Sequence, residues 1–323
     1  MRAGVIGAGA WGTALAQTLA AGGEPVTLWA REPDVAEAIT RNRLNPLYLP
    51  AIPLSASIHA TSDLADLAAC DMLLVVTPAQ HLRAMVSRAP AGVPLILCSK
   101  GMEADTRLLM SEVAANAQPA SPIAVLSGPT FAHEVAKGLP TAITLACADT
   151  ELARRLAQRI ARPAFRPYLS DDVIGAEIGG AVKNVLAIAC GVAEGAGLGL
   201  NARAALISRG FAEMTRFGLA RGARAETLGG LSGLGDLVLT CSSTNSRNFS
   251  LGKGLGEGQA AADLLANRRT VAEGAFTAPV LRDAARAARV DMPVVEAVCA
   301  LLEGAASLPQ VIDALLARPL RAE

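Results

Sequence analysis

A mostly parallel α/β sheet with helices on both faces, followed by an all-helical domain, is the fold class that three features of this 323-residue sequence predict. The chain opens with a strand that runs straight into a glycine-rich turn and a helix. Short apolar runs bounded by turn residues then alternate with helical stretches up to about residue 170. From Asp171 onward the pattern is helical throughout.

The first strand is Ala3-Gly4-Val5-Ile6, and Gly7-Ala8-Gly9-Ala10-Trp11-Gly12 follows at once, leading into a helix over Thr13–Leu19. This is G-x-G-x-x-G in its informative context of strand, tight turn and helix. Gly7 permits the turn, Gly9 lets a pyrophosphate lie against the backbone, and Gly12 lets the helix pack close to the strand. The helix N-terminus offers free N–H groups and a positive dipole end to the phosphates. The second strand, Pro25–Trp29, ends in Ala30-Arg31-Glu32. An acid at this point suits the ribose 2′-OH of NAD(H), and an Arg suits the 2′-phosphate of NADP(H). Arg31 comes first and favours NADP(H) or use of both forms, and Glu32 keeps NAD(H) in play.

Three more buried strands follow as continuous apolar runs. Leu73–Val76 ends in Thr77-Pro78, Pro94–Cys98 in Ser99-Lys100-Gly101, and Ile123–Leu126 in Ser127-Gly128-Pro129-Thr130. Such runs suit strands covered on both faces, and their alternation with helices implies βαβ units. Thr141–Leu145 and Phe165–Tyr168 read as added strands at the sheet edge. Helices are expected over Val173–Ala193, Arg203–Arg221, Val294–Leu302 and Val311–Ala317. The expected organisation is a Rossmann-type dinucleotide-binding domain over residues 1–172 and a helical substrate-binding domain over 173–323, with the long helix near 171–195 as a hinge.

Composition excludes several function classes. Basic and acidic residues balance at 29 each, which argues against nucleic acid as the main partner. The chain is 52% hydrophobic, yet no apolar run reaches the ~18 residues of a membrane span, and the glycine-broken start does not resemble a signal peptide. A cytoplasmic protein without stable membrane insertion is expected. The six cysteines, Cys70, Cys98, Cys147, Cys190, Cys241 and Cys299, form no C-x-x-C and no His–Cys cluster. Buried free thiols are expected, and neither a metal site nor a redox pair.

Ligands of open parallel sheets bind outside the carboxyl ends of the strands. That rule gathers Gly7 to Gly12, Arg31, Thr77-Pro78, Ser99-Lys100-Gly101 and Ser127-Gly128-Pro129-Thr130 on one rim. Lysine usage adds a second clue. The chain has four lysines, Lys100, Lys137, Lys183 and Lys253, and 25 arginines make up the rest of its 29 basic residues. Arg stays protonated, whereas a partly buried Lys can lose its proton, as a group that accepts a hydroxyl proton during dehydrogenation must. Lys183 lies in Gly179-Gly180-Ala181-Val182-Lys183-Asn184-Val185, among small apolar neighbours. The alternative is a lysine snorkelling out of an amphipathic helix. A third cluster runs from Leu231-Ser232-Gly233-Leu234-Gly235-Asp236 to Ser246-Arg247-Asn248. The triplet offers the hydroxyl, guanidinium and amide that a phosphate needs. Taken alone, it reads more readily as a helix cap followed by exposed polar residues.

Together these stretches resemble the bacterial NAD(P)-dependent sn-glycerol-3-phosphate dehydrogenases. The matching segments are Gly7–Ala16, Ser99–Gly101, Leu126–Ala132, Gly179–Val185, Asn201–Ile207, Gly233–Cys241, Ser246–Asn248 and Val271–Gly274, in the family's order. The resemblance implies Lys183 as proton acceptor and Asp236 as a residue orienting the substrate hydroxyl or Lys183. It implies glycerol-phosphate contacts from Lys100, Gly128, Thr130, Lys183, Asp236, Ser246, Arg247 and Asn248. It implies cofactor contacts from Ala10, Trp11, Arg31, Lys100, Ala132, Arg247, Val271 and Glu273, beside Gly7, Gly9 and Gly12 from the fingerprint. Ala10 stands where the family often has a small polar residue, so a backbone contact survives there and a side-chain one does not.

The implied activity is NAD(P)H-dependent reduction of dihydroxyacetone phosphate to sn-glycerol 3-phosphate, the glycerophospholipid backbone, with substrate entering between the two domains. The expected partner is this small molecule, and a homodimer is compatible. Two alternatives stay open: another two-domain dehydrogenase acting on a hydroxy acid or acyl-CoA, and a non-enzymatic NADPH-binding sensor, which would need neither Lys183 nor Asp236.

Overall fold

A computed structural model describes residues 1–266 and 272–318. The chain divides into two compact units, Met1–Lys100 with Leu108–Glu177, and Gly101–Arg107 with Ile178–Glu323. In chain order the first unit holds β1 (Ala3–Ile6), α1 (Ala10–Ala20), β2 (Val26–Trp29), α2 (Pro33–Asn42), β3 (Ile58–Thr61), β4 (Met72–Val75), α3 (Leu82–Val86), β5 (Leu95–Leu97), α4 (Met110–Ala117), β6 (Ile123–Ser127), α5 (Ala132–Ala136), β7 (Thr141–Ala146), α6 (Thr150–Ile160) and β8 (Phe165–Ser170). The division falls inside α7 (Val173–Gly195). Beyond it come α8 (Gly199–Ala220), α9 (Ala225–Leu228), α10 (Asp236–Cys241), α11 (Arg247–Gly256), α12 (Ala261–Leu265), α13 (Glu273–Ala287), α14 (Pro293–Leu302) and α15 (Leu308–Leu316). Among the described residues the second unit contains no strand.

The strands form one sheet in the order β3-β2-β1-β4-β5-β6-β7-β8. Its first six positions are the doubly wound order of a dinucleotide-binding sheet, with the switch point between β1 and β4. All neighbours are parallel except β6 and β7. Alternate residues feed separate cores. Val5, Leu74, Ile96 and Leu126 enter one core with Leu15, Ile39 and Leu156. Ile6, Leu73, Val75, Leu97 and Val125 enter the other with Leu82, Val86 and Val113. A strand buried on both faces cannot show polar alternation, which is why these strands read as unbroken apolar runs. The edge strand β3 is different. Ile58 is buried, His59 is exposed, and four residues with one apolar side carry too little signal to be expected.

Helix α7 is the core of the second unit. Every residue from 175 to 193 is buried. By length and composition it could cross a membrane, but 83% of its apolar window is covered by the protein. The covering is closest along α11. A Cβ added at Gly191 or Gly195 would stand 2.0 Å from the Phe249 carbonyl oxygen or 2.1 Å from that of Lys253. A Cβ at Gly252 or Gly256 would stand 2.0 Å from the Ile188 oxygen or 2.3 Å from that of Val192. Two small-xxx-small pairs thus face each other, and the helices touch backbone to backbone. At its other end α7 meets a π-type turn over Leu231–Gly235, where a Cβ on Gly179 would lie 2.3 Å from the Ser232 oxygen.

Helix α8 contributes a cap as well as apolar packing through Met214 and Phe217. Helix α14 begins at Pro293 with no capping side chain of its own. Its orphan N–H groups at Val294 and Val295 donate to the Glu213 carboxylate at 2.7 and 3.3 Å. All six cysteines are free and buried. Cys190 and Cys241, remote in sequence, are hydrogen-bonded neighbours, and that bond together with burial pushes the Cys241 thiol well above its usual range. A thiol held protonated is a poor nucleophile, so Cys241 serves packing here.

Two outcomes test this architecture. Gly252→Ala should destabilise the protein by about 1–3 kcal/mol or more, as overpacking against backbone does. Gly229→Ala, whose methyl meets nothing nearer than 3.4 Å, should stay within about 0.5 kcal/mol. Urea midpoints check both, and equal shifts would remove the close helix contact as a stability element. The second outcome concerns pH. Burial pushes the Glu213 carboxyl up from 4.5 to about 7 despite its two N–H donors. The folded state therefore holds this proton more tightly than the unfolded chain. Its stabilising contribution is full below pH ~4.5 and is lost as pH rises through ~7, on the order of 3 kcal/mol. The gap in melting temperature between wild type and Glu213→Gln should change between those pH values, with wild type losing ground as pH rises.

Candidate active site

The glycine turn is shaped as a phosphate cradle. Gly7 has φ 114°, open to glycine alone, and a Cβ there would meet the Val76 carbonyl at 2.7 Å. A Cβ on Gly12 would lie 1.8 Å from the Gly7 oxygen, so α1 sits directly on the turn. Gly9 is the opposite case, since nothing stands within 4 Å of the point a Cβ would occupy. It is also the N-cap of α1 and supplies no capping side chain, which leaves the helix N–H groups for a ligand. An open face at the middle glycine beside an uncapped helix end fits a dinucleotide pyrophosphate. Trp11 and Ala132 pack partly buried on the core beneath the turn, and Ala10 begins α1.

A buried asparagine braces this turn. Asn45, fully buried, donates to the Ala8 carbonyl and to Thr13 Oγ1, both at 2.8 Å. Its Oδ1 accepts the Tyr48 N–H at 3.1 Å. At the end of β2, the Gly7 N–H donates to the Trp29 carbonyl at 3.0 Å. Arg31 then projects into solvent and pairs with Glu32. Further along the rim, the Gly128 carbonyl accepts from Lys100 Nζ at 3.2 Å and Thr130 Oγ1 at 3.3 Å. The structure thus gathers Lys100, Gly128 and Thr130 at the ends of β5 and β6.

In the second unit, Lys183 is buried on α7 and donates to Asp236 Oδ1 at 2.6 Å and Thr240 Oγ1 at 2.8 Å. Thr240 Oγ1 donates in turn to Asp236 Oδ1 at 3.3 Å. Asp236 opens α10 and Thr240 lies one turn on, so a single short helix presents both groups to the ammonium. The side chains of Lys183 and Asp236 are 8% and 0% exposed. A buried ammonium without a partner is costly, and this carboxylate offsets that cost. What the cluster offers chemically is a desolvated, fixed proton donor or acceptor.

The Ser-Arg-Asn triplet starts α11, and its three members do different things. Ser246 is the N-cap, and its Oγ accepts the Phe249 N–H at 3.2 Å, which leaves its own O–H able to donate. Arg247 is exposed at the first helical position. Asn248 is buried, with Nδ2 donating to Asn184 Oδ1 at 3.0 Å and Oδ1 accepting the Gly274 N–H at 2.9 Å. Its side chain ties α11 to α7 and to the start of α13, and one amide N–H remains for any other partner. Glu273 is the first residue of α13. Val271 lies outside the described residues.

Sequence reasoning did not find Asn45, Tyr48, Asn184 or Thr240. Thr240 had a legible signal, its one-turn spacing from Asp236. Asn45 and Tyr48 sit in ordinary polar context and Asn184 beside Lys183 in an apolar one, and the side-chain partners of both asparagines are long-range.

Comparison with known proteins covers nearly the whole chain. The chain matches the family described as the NAD-dependent glycerol-3-phosphate dehydrogenase N-terminus over residues 2–153, and the corresponding C-terminus over 172–313. A glycerol-3-phosphate dehydrogenase [NAD(P)+] of Sphingopyxis alaskensis is 65% identical over 99% of this chain and 97% of its own length. One from Caulobacter vibrioides is 57% identical over 100% of this chain and 98% of its own. The crystal structure of the Coxiella burnetii glycerol-3-phosphate dehydrogenase is 38% identical and superposes with a TM-score of 0.93, covering 98% of this chain and 99% of that one. With a nucleotide cradle, a buried Lys–Asp pair and relatives aligned over essentially their whole length, the chain belongs to the NAD-dependent glycerol-3-phosphate dehydrogenase family.

Proposed function

We propose that this protein reversibly reduces dihydroxyacetone phosphate to sn-glycerol 3-phosphate with NADPH or NADH, in the cytoplasm, supplying the glycerophospholipid backbone. The observation that carries the reading is the buried Lys183–Asp236–Thr240 cluster. A nucleotide sensor has no use for a desolvated ammonium fixed by a carboxylate and a hydroxyl.

Bound cofactor supplies the hydride. The chain's own residues handle the proton and the substrate. Lys183, held by Asp236 and Thr240, stabilises negative charge growing on the ketone oxygen and donates a proton to it. In the reverse direction the neutral amine takes the hydroxyl proton. Asp236 keeps the amine aimed and offsets its charge. The substrate phosphate is held by the exposed guanidinium of Arg247 and the free O–H of Ser246, with Asn248 fixing the helix that carries both. In the first unit Lys100 and Thr130 stand together with the Gly128 carbonyl at the sheet rim. For a second copy of the chain, the exposed Leu200 and Leu219 of α8 offer apolar surface.

The direct test is loss of dihydronicotinamide absorbance when dihydroxyacetone phosphate is added to the purified protein with NADPH. NADPH binding without turnover would leave the sensor reading standing. Lys183→Arg keeps the charge but cannot supply a neutral form. Turnover should fall by about two to four orders of magnitude while NADPH affinity holds, and near-normal turnover would take Lys183 out of the proton transfer.

Arg247→Ala should raise KM for dihydroxyacetone phosphate strongly and lower kcat, because phosphate binding energy also orients the ketone. The decisive quantity is the ratio of kcat/KM for dihydroxyacetone phosphate over unphosphorylated dihydroxyacetone. Wild type should show a large ratio and the variant a collapsed one. An unchanged ratio would leave Arg247 as a surface residue of a capped helix.

A further inference from the structure

The peptide that joins Ala8 to Gly9 in the glycine turn is gripped from inside the protein. The Ala8 carbonyl oxygen accepts from Asn45 Nδ2 at 2.8 Å and from Thr13 Oγ1 at 3.2 Å, so both of its lone pairs are occupied. Asn45 Nδ2 also donates to Thr13 Oγ1 at 2.8 Å, which closes a triangle of three hydrogen bonds. Both amide hydrogens of Asn45 and the hydroxyl hydrogen of Thr13 are used in it. The direction of the Asn45 amide is fixed by its other end. The Tyr48 N–H can only donate, and it meets Asn45 Oδ1 at 3.1 Å, so Nδ2 faces the turn. The segment itself is anchored where the Leu49 N–H donates to the Asn45 carbonyl at 3.0 Å, with Leu49 in the core. Thr13 and Asn45 are fully buried. A trans peptide is planar, with its N–H antiparallel to its C=O, and no cis bond occurs among the described residues. The Gly9 N–H therefore points away from the buried triangle, at the cradle glycine that has open space beside it.

We propose that Asn45 and Thr13 are positioning residues for the nucleotide pyrophosphate, holding the Ala8–Gly9 peptide with its N–H turned outward as an anion donor. The inference rests on the dehydrogenase reading above, because it needs a dinucleotide in the glycine cradle. Neither side chain touches the nucleotide in this role. Turning this peptide over changes ψ of Ala8 and φ of Gly9, and a glycine resists such a rotation little. The polar triangle supplies the resistance. In the turned-over state the Gly9 N–H would face the Asn45 and Thr13 donors, and buried hydrogens on both sides would lose their acceptor, which is costly. The outward state is thus set before a nucleotide arrives, and an ordering cost is removed from binding. Two consequences follow from where this peptide sits. The pyrophosphate is common to NADPH and NADH, so the effect is the same for both. It is also held alike before and during hydride transfer, so the effect falls on nucleotide affinity rather than on the chemical step.

The experiment is calorimetric titration of NADPH and NADH into wild type, Asn45→Ala, Thr13→Val and Thr13→Ser, with steady-state kinetics on the same proteins. Circular dichroism checks that each is folded. Asn45→Ala should weaken both nucleotides by about tenfold or more, and by the same factor. Thr13→Val keeps the size of the side chain and removes its hydroxyl, so it should weaken both by about three- to tenfold. Thr13→Ser restores the hydroxyl and should recover most of that loss. The turnover number at saturating nucleotide and KM for dihydroxyacetone phosphate should change far less than nucleotide Kd. If Asn45→Ala does not fold, the two Thr13 variants decide alone. Wild-type affinity in Thr13→Val, or equal losses in Thr13→Val and Thr13→Ser, would overturn the positioning role and leave the enzyme reading intact. Unequal losses for NADPH and NADH would move the effect to the 2′ end of the nucleotide and also overturn it. So would a fall in kcat as large as the loss of affinity, the mark of a general disturbance. Failure of the wild type to bind either nucleotide would bring down the enzyme reading itself.

Discussion

Backbone contact along α7 is the constraint on which the second unit depends. At one end Gly179 admits the Ser232 carbonyl, and at the other Gly191 and Gly195 admit α11. A methyl group at any of these would occupy space already filled by main-chain atoms. Because α7 carries Lys183 between these contacts, its neighbours meet the helix on either side of the lysine. The turn at Ser232 delivers Asp236 and Thr240. Helix α11 delivers the Ser246 cap and Arg247, and Asn184, next to Lys183, locks that helix through Asn248. The ammonium is thereby fixed by elements that meet one helix, with no long loop needed to hold it.

Charge burial explains the residue choices around it. A fully buried Asp236 is tolerable only with a cation and hydroxyl at hydrogen-bond distance. The cation must be one whose neutral form exists, which selects lysine over the arginine this chain otherwise favours. In the first unit the logic is reversed. The charged side chains at the end of β2 are open to solvent, Arg31 above all.

The fold was legible where physics writes locally. The glycine turn, the apolar runs of β1, β2, β4, β5 and β6, the strands β7 and β8 added beyond β6, and helices α7, α8, α14 and α15 follow from period and punctuation, whereas α13 was not expected. Strand β3 was not, because four residues at an edge carry one inward pair. Of the site, Lys183 and Asp236 stood out through lysine scarcity and resemblance, and the structure brings them to 2.6 Å. Ser246 was correctly suspected of capping a helix, a role that does not spend its hydroxyl proton. The glycines Gly191, Gly195, Gly252 and Gly256 have the right four-residue spacing, but nothing in the sequence says which helix each pair faces. Asn45 and Tyr48 depend on partners that only the folded turn creates.

The glycine-faced contact of α7 also sets an order of events during synthesis. The sheet of the first unit draws on strands that end at Ser170, so it can close once that part of the chain is out. Helix α7 emerges next, 23 residues of mean hydropathy 1.5 in its most apolar window. Its cover, the stretch from Phe249 to Gly256, is fully synthesised about three to twelve seconds later at ordinary elongation rates. For that interval this long apolar helix lacks the cover that α11 gives it. This places the aggregation hazard, and the need for a chaperone's attention, on the nascent chain between the end of α7 and the end of α11.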